Sequence, residues 1–238
     1  MQLLLPERDT TSTELMDQPD CSPQKLENTY RQFRTINRFL SGWDLLFHTH
    51  IAPRCTDPKR TYYLLDIGFG GGDVPARLDA LAREYDIDLH ITAIDTDARA
   101  VAYARENIRL ANVHFRHASE QELINENRIF DFIISNHLVH HLDEKQLVRL
   151  LENTELLNDG LLLFNDLRRS PISWLLFNAL TLFAFRKSFI RYDGLLSIRR
   201  SYRPDELRDK LPEGFEVESF PPFRMIIKRE KVRDAEEE

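Results

Sequence analysis

Two stretches of the chain hold residues whose types and spacing could do chemistry. In the first, Asp66-Ile67-Gly68-Phe69-Gly70-Gly71-Gly72-Asp73 follows a short apolar run and precedes a helix-like pattern. The chain has only 8 glycines, and Gly68, Gly70, Gly71 and Gly72 concentrate half of them in one turn. Glycine frees the backbone to bend tightly and pass close to a ligand, and the N-terminus of a following helix offers free N–H groups. That is the geometry of a nucleotide site. The dinucleotide fingerprint G-x-G-x-x-G would need glycine at position 73, where Asp73 stands. A carboxylate at that helix start repels pyrophosphate and tolerates a cationic or zwitterionic ligand. A P-loop is excluded, because no Gly-Lys-Ser/Thr follows. Asp95 ends the next apolar run and suits a diol, since one carboxylate can accept from two hydroxyls. Asp97, two residues on, reads as a helix N-cap.

The second stretch is His137-Leu138-Val139-His140-His141-Leu142. An imidazole titrates near ~6.5 and can take a proton at neutral pH, so His141, with His140 second, is a candidate acceptor-side base or orienter. The competing reading is a partly buried polar residue. No metal is expected, because no cysteine or carboxylate set with ligand spacing joins these histidines. His48 and His50 are read as structural.

The elements that must position these groups follow from periodicity. Residues 1–20 read as a loose polar arm. From Ser22-Pro23, a cap and first-turn pair, apolar residues recur at three- and four-residue steps through Trp43, predicting one or two helices over 22–51. Strands are expected at Tyr62–Ile67, Leu89–Ile94, Val113–Arg116, Phe130–Ser135 and Leu161–Asn165. Helices are expected over 73–85, 97–107 and 144–157, with Asn158-Asp159-Gly160 as a turn. This alternation calls for a parallel sheet covered on both faces. An insertion over 168–202, a helix over 204–210 and an antiparallel pair, Phe215–Phe220 with Phe223–Lys228, complete the chain. The charged tail from Lys228 is expected to fray.

The set of motifs resembles the class I S-adenosylmethionine-dependent methyltransferases. The turn Asp66-x-Gly68-x-Gly70-x-Gly72 looks like their first motif, which cradles the methionine and ribose part of the cofactor. Asp95, within Ala93-Ile94-Asp95-Thr96-Asp97, stands where an acidic residue accepts the ribose hydroxyls. Phe130 to Leu142 resembles the fourth-strand motif, whose tail borders the transferring methyl group. The adenine segment is here Arg116-His117-Ala118-Ser119, with His117 in place of the usual aspartate, leaving Ser119 and backbone to serve. The resemblance implies S-adenosylmethionine as cofactor, with Asp66, Gly68, Gly70, Gly72, Asp95, Thr96, Ser119 and Asn136 holding it. It also implies a Rossmann-like, seven-stranded, mostly parallel sheet with an antiparallel last strand, an N-terminal arm and helical cap over 1–58, and the catalytic domain over 59–238. A narrower likeness lies in Glu14-Leu15-Met16-Asp17, Ile36-Asn37-Arg38, Asn165 to Pro171, and Asp193-Gly194-x-x-Ser197-x-Arg199-Arg200. These resemble small-molecule methyltransferases of bacterial secondary metabolism, which are similar to quinone-biosynthesis enzymes.

The expected reaction is methyl transfer to a small apolar acceptor, aromatic, phenolic or quinone-like, on oxygen first and carbon second. A non-catalytic S-adenosylmethionine-binding protein is the alternative, and a nicotinamide-dependent oxidoreductase is disfavoured by Asp73. Composition narrows the field. A formal net charge of −7 without a basic arm argues against nucleic acid. Two cysteines, Cys21 and Cys55, with no secretory signal, suggest a reducing cytoplasm. The longest apolar stretch, Pro171–Phe185, is shorter than the ~18 residues of a spanning helix. It reads as a buried helix, a lid over the acceptor formed with Trp174 and Phe177, or a membrane-surface contact flanked by Arg168, Arg169, Arg186 and Lys187. The basic run Arg186, Lys187, Arg191, Arg199, Arg200 and Arg203 reads as a solvated face.

Overall fold

A computed structural model describes residue 5 and residues 7–182 and 184–231. Its centre is a seven-stranded sheet formed by β1 (Tyr62–Ile67), β2 (Leu89–Asp95), β3 (Val113–His117), β4 (Phe130–Asn136), β5 (Asn158–Leu167), β6 (Glu216–Phe220) and β7 (Arg224–Glu230). The strand order is β3-β2-β1-β4-β5-β7-β6. Strands β1 to β5 run parallel, and β7 runs antiparallel to both β5 and β6. The expected sheet, with its one reversed strand, is the observed one.

Helices cover both faces, which is why β1 and β4 read as near-continuous apolar runs. Alternate residues separate into two cores. Leu64, Phe132 and Ile134 pack on one face with Leu78 and Val101, while Leu65, Ile133 and Phe164 pack on the other with Leu147 and Leu151. The covering helices are α1 (Pro23–Leu40), α2 (Trp43–Leu46), α3 (Asp73–Glu84), α4 (Ala98–Asn107), α5 (Glu120–Asn125), α6 (Glu144–Leu157), α7 (Pro171–Thr181), α8 (Ile190–Arg200) and α9 (Pro204–Arg208). Ser22 caps α1 by accepting from the Lys25 amide, with Pro23 in the first turn. Asp97 caps α4 by accepting from the Arg99 amide, as expected.

Four expectations need correction. The turn at Asn158-Asp159-Gly160 is the start of β5, because Asn158 already pairs with Phe130. The tail from Lys228 is strand as far as Glu230, held by pairing of Lys228, Arg229 and Glu230 with Leu163, Leu162 and Leu161; residues 232–238 lie outside the described residues. The helix α5, unpredicted, begins at Ser119, whose amide donates to Glu122; the spacing Ser119-x-x-Glu122 is the signal that marks it.

The fourth correction concerns the N-terminal segment: residues 1–4 and 6 lie outside the described residues, and the rest of 1–20 is no loose arm. The Arg8 guanidinium lies over the Tyr202 ring, 3.8 Å from its centre, and donates to the carbonyls of His140 and Leu142. Asp9 pairs with Arg199, Arg200 donates to the Ser12 carbonyl, and Arg203 donates to the Leu5 carbonyl. Half of the basic run read as a solvated face is therefore stitching this strap down. The Asp193 carboxylate accepts from the amides of Leu15 and Met16, at 2.8 and 3.0 Å. Polar composition hid this packing, because the strap's bonds are made by backbone groups and charged side chains.

Candidate active site

The neighbours of β1 are β2 on one side and β4 on the other, so the chain order reverses at β1. Open α/β sheets bind ligands beyond the carboxyl ends of the strands at such a point. A cleft of about 620 Å³ opens there, a size ordinary for a small-molecule site. Its lining includes Asp66, Gly68, Gly70, Asp73, Asp95, Thr96, Ser119, Asn136, His140 and His141. The structure thus gathers every expected site residue except Gly72.

Gly72 serves the turn from behind. It caps α3 with φ of +76°, and a Cβ there would press on Ile108 and Phe115. Gly70 has φ of +54°, and a Cβ there would project into open space. Added side-chain bulk at Gly70 would occupy room in the cleft. The Gly70 amide donates to Asp95 Oδ2 at 2.9 Å, and the Asp97 amide donates to Asp95 Oδ1 at 2.8 Å. Each oxygen retains a further lone pair for a ligand hydroxyl.

The electrostatics of this end are one-sided. Asp66 is 1% exposed and neither carboxylate oxygen has a protein partner. Burial, with Asp73 and Asp95 nearby, raises its carboxyl well above the usual range. Burial also raises Asp73 to about 6 despite a hydrogen bond from Asn37 Nδ2, and burial raises Asp95. Orphaned buried carboxyls are costly without a partner. The orphaned Asp66 together with the hydrogen-bonded Asp73 and Asp95, three carboxyls around one turn, fits a ligand carrying positive charge and a diol. They oppose the pyrophosphate of a nicotinamide dinucleotide.

Other candidates are more committed to the protein. Asn136 Oδ1 accepts from Trp43 Nε1 and from Arg224 Nη2, at 3.1 and 2.9 Å. Ser119 is engaged by Glu122 through both amide and hydroxyl. The Thr96 carbonyl lies 3.1 Å from His117 Nε2, the residue standing where an aspartate is usual. These bonds involve neither the Thr96 hydroxyl nor the Asn136 amide nitrogen.

At the other end, a 3-10 turn over Val139–His141 separates the two neighbouring histidines. His140 is 1% exposed. Its Nδ1 lies 2.7 Å from Asp166 Oδ1 and its Nε2 3.4 Å from Glu14 Oε1. Burial alone would lower its pKa, but the charge and hydrogen bond of Asp166, aided by Glu14, override this and raise it to about 9. Against its own burial, Asp166 is held well below the ordinary carboxylate range by His140. The carboxylates on either side of the ring, Asp166 hydrogen-bonded and Glu14 close by, therefore favour the protonated imidazole at His140.

His141 differs. Its side chain is 27% exposed, Nδ1 lies 3.3 Å from Asp17 Oδ2, and Nε2 lies 3.9 Å from Glu14 Oε1. Carboxylates thus lie beside both of its nitrogens, and the partly exposed ring lines the cleft. His137, with φ of +63°, places Nε2 3.1 Å from Arg224 Nη1. Burial and the Arg224 charge push its pKa well below normal, so it is neutral. The groups Glu14–His140–His141 and His137–His140–Asp166 each bring ligand atoms within 4.8 Å, the spacing of a metal cluster. Sequence spacing could not reveal these carboxylates. Yet both sets depend on His140, whose contacts suit a proton.

Glu14, Asp17, Asn37 and Asp166 entered the sequence reading only within segments of a family likeness, and Arg224 not at all; Glu14, Asp17, Asn37 and Arg224 line the cleft, and Asp166 lies behind it on His140. Of the two insertion aromatics expected at the acceptor, Phe177 lines the cleft, whereas Trp174 borders a separate groove beside Arg8 and Arg199.

Comparison with known proteins agrees with this geometry. Residues 64–158 match the family model described as a methyltransferase domain. The uncharacterized methyltransferases Rv0089 of Mycobacterium tuberculosis and Mb0092 of Mycobacterium bovis are each 29% identical over 102 residues, 43% of this chain and 49% of theirs. The chain thus spans about half the length of the curated relatives it matches. Among solved structures, the plantazolicin methyltransferase BpumL with SAH superposes with a TM-score of 0.62 at 17% identity, covering 90% of this chain and 92% of that one. Human N-acetylserotonin methyltransferase with SAM gives 0.61 at 13% identity, covering 89% and 57%. At these identities the likeness is one of fold.

Proposed function

We propose that this chain, a class I S-adenosylmethionine-dependent methyltransferase by fold and by the domain at residues 64–158, methylates an oxygen of a small apolar acceptor. The acceptor is aromatic, phenolic or quinone-like. The observation carrying the cofactor half is the unpartnered, buried Asp66 carboxyl beside the open face of Gly70. Bound there, S-adenosylmethionine supplies a methyl carbon activated by its sulfonium. Asp95 would accept from the ribose hydroxyls, the Gly68–Gly72 turn would admit the ligand closely, and Asp66 and Asp73 would balance its positive charge.

The acceptor half rests on His141. The His141 ring would take the acceptor O–H proton as the oxygen gains the methyl carbon and the carbon–sulfur bond of the cofactor breaks, leaving the demethylated cofactor, and Asp17 would stabilise the imidazolium that forms. His140 keeps the turn in place instead of exchanging protons. Phe33, Ile36 and Leu40 from α1 and Phe177 from α7 give the cleft apolar walls, which exclude water and align the displacement. A proton acceptor beside the cleft favours oxygen over carbon methylation. Free thiols at Cys21 and Cys55 suit a reducing cytoplasm.

The test has two stages. Calorimetry should detect binding of S-adenosylmethionine and its demethylated product but no nicotinamide dinucleotide. Turnover of labelled methyl groups over a panel of phenols and quinols should then separate an enzyme from a protein that only binds the cofactor.

A further inference from the structure

We propose that the outer face of α7 and the loop after it dock on an anionic lipid surface. The helix divides its residues cleanly. Phe177 lines the cleft and its ring lies against Gly194, where a Cβ would overlap it. On the far side, Ile172, Leu175, Leu176 and Leu180 are 44%, 47%, 57% and 55% exposed, continued by Leu182 at 49%. These positions recur at three- and four-residue steps and form one stripe. A contiguous apolar face of this kind marks a contact surface.

Charge selects the occupant. Residues 170–192 carry three Lys/Arg and no Asp or Glu, in a chain whose formal net charge is −7. Arg186, Lys187 and Arg191 are exposed just beyond the leucines, next to the exposed Tyr192. Asn28 and Gln32 of α1 bond the carbonyls of Lys187 and Arg186, fixing that loop against α1. α1 adds Arg31, Arg34 and Arg38 and the 73% exposed Phe39, again without an acid between 31 and 43. Leucines bordered by cations and an interfacial aromatic match the headgroup boundary of an anionic bilayer. A second copy pairing through this same face would bring its exposed Arg186, Lys187 and Arg191 near their own counterparts, like charge against like charge. Among the described residues no helix is long and apolar enough to cross a membrane, so the contact is peripheral.

The location gives the contact a use. α1 and α7 both wall the cleft, so docking sets the acceptor end beside the lipid, and an apolar acceptor dissolved there has a short path to His141. This use rests on the proposed function; the docking does not, and the two are read separately.

The experiment is flotation of the full chain with phosphatidylcholine vesicles, with and without a third of phosphatidylglycerol. Flotation is expected with the anionic vesicles and should weaken with salt. The double variant Leu176→Glu/Leu180→Glu should stop floating while keeping wild-type S-adenosylmethionine affinity by calorimetry, which certifies its fold. Arg186→Gln/Lys187→Gln should weaken binding to anionic vesicles about thirtyfold. The proposal is overturned if the wild type does not float with anionic vesicles, or if the leucine variant floats equally. It is also overturned if light scattering shows a dimer that the leucine variant dissolves while vesicle binding is absent.

Discussion

The Gly70 amide donates to the Asp95 carboxylate across 2.9 Å, joining the glycine turn to the end of the neighbouring strand. Two motifs that stand 25 residues apart are therefore a single binding unit. The carboxylate that meets a diol also holds the turn that admits the ligand.

Gly70→Val should abolish S-adenosylmethionine binding in a folded protein. The new side chain would reach into the cleft, and a β-branched residue resists the positive φ of this position. Asp95→Ala should weaken binding at least tenfold, since each lost charge-assisted bond costs roughly 1.5–3 kcal/mol. Asp97→Ala should cost mainly stability, about 1 kcal/mol for a lost cap. Calorimetry and thermal melts give the ranking, and Asp97→Ala as the more damaging change for binding would contradict the site.

Cofactor affinity should depend on pH with a definite sign. Asp73 is raised to about 6 by burial, and Asp66 and Asp95 are raised too. A cationic ligand prefers them ionised, so affinity should fall as pH drops from 7.5 to 5, and binding near pH 6 should release protons. Calorimetry in buffers of different ionisation enthalpy reads this directly. Proton uptake would refute the carboxylate assignment.

The His140 clamp predicts the pH dependence of stability. Its folded pKa is raised to about 9 against an ordinary value near 6.5. The folded state therefore holds the extra proton between these values. The clamp's contribution is complete below ~6.5 and is lost as pH rises through the folded value. The melting temperature should fall over that window, and His140→Gln should flatten the fall while lowering the acid-side plateau. Unchanged slopes in the two proteins would remove His140 from this role.

The strands, the glycine turn and Asp95 were legible because they are local. Tyr62–Ile67 is an apolar run of strand length, and its bounds match the structure to the residue. The clamp was not legible. Glu14 reaches Ser197 across 183 positions, and His140 reaches Asp166 across 26. No periodicity encodes such pairings, and a polar N-terminus looks unstructured until the arginines of α8 are seen holding it. α7 misleads in the opposite way, since its apolar residues lie on both sides of the helix, with only one side facing the protein.

The division of labour between the two neighbouring histidines is the most exposed prediction. Their rings lie 4.3 Å apart, yet His140 is sealed between Glu14 and Asp166 whereas His141 remains partly open with Asp17 at Nδ1. A general base is worth about 10²–10⁴ in rate, so His141→Ala should cut kcat by that order with cofactor affinity nearly intact. Asp17→Asn should lower kcat less, leaving cofactor binding unchanged, because it weakens only the support of the imidazolium. His140→Ala should act through the fold, since it strands two buried carboxylates, and its activity loss should track its loss of stability. Steady-state kinetics beside thermal melts for the three variants decide the matter. Full activity of His141→Ala across neutral pH would mean that alignment alone drives transfer and that the cleft needs no base.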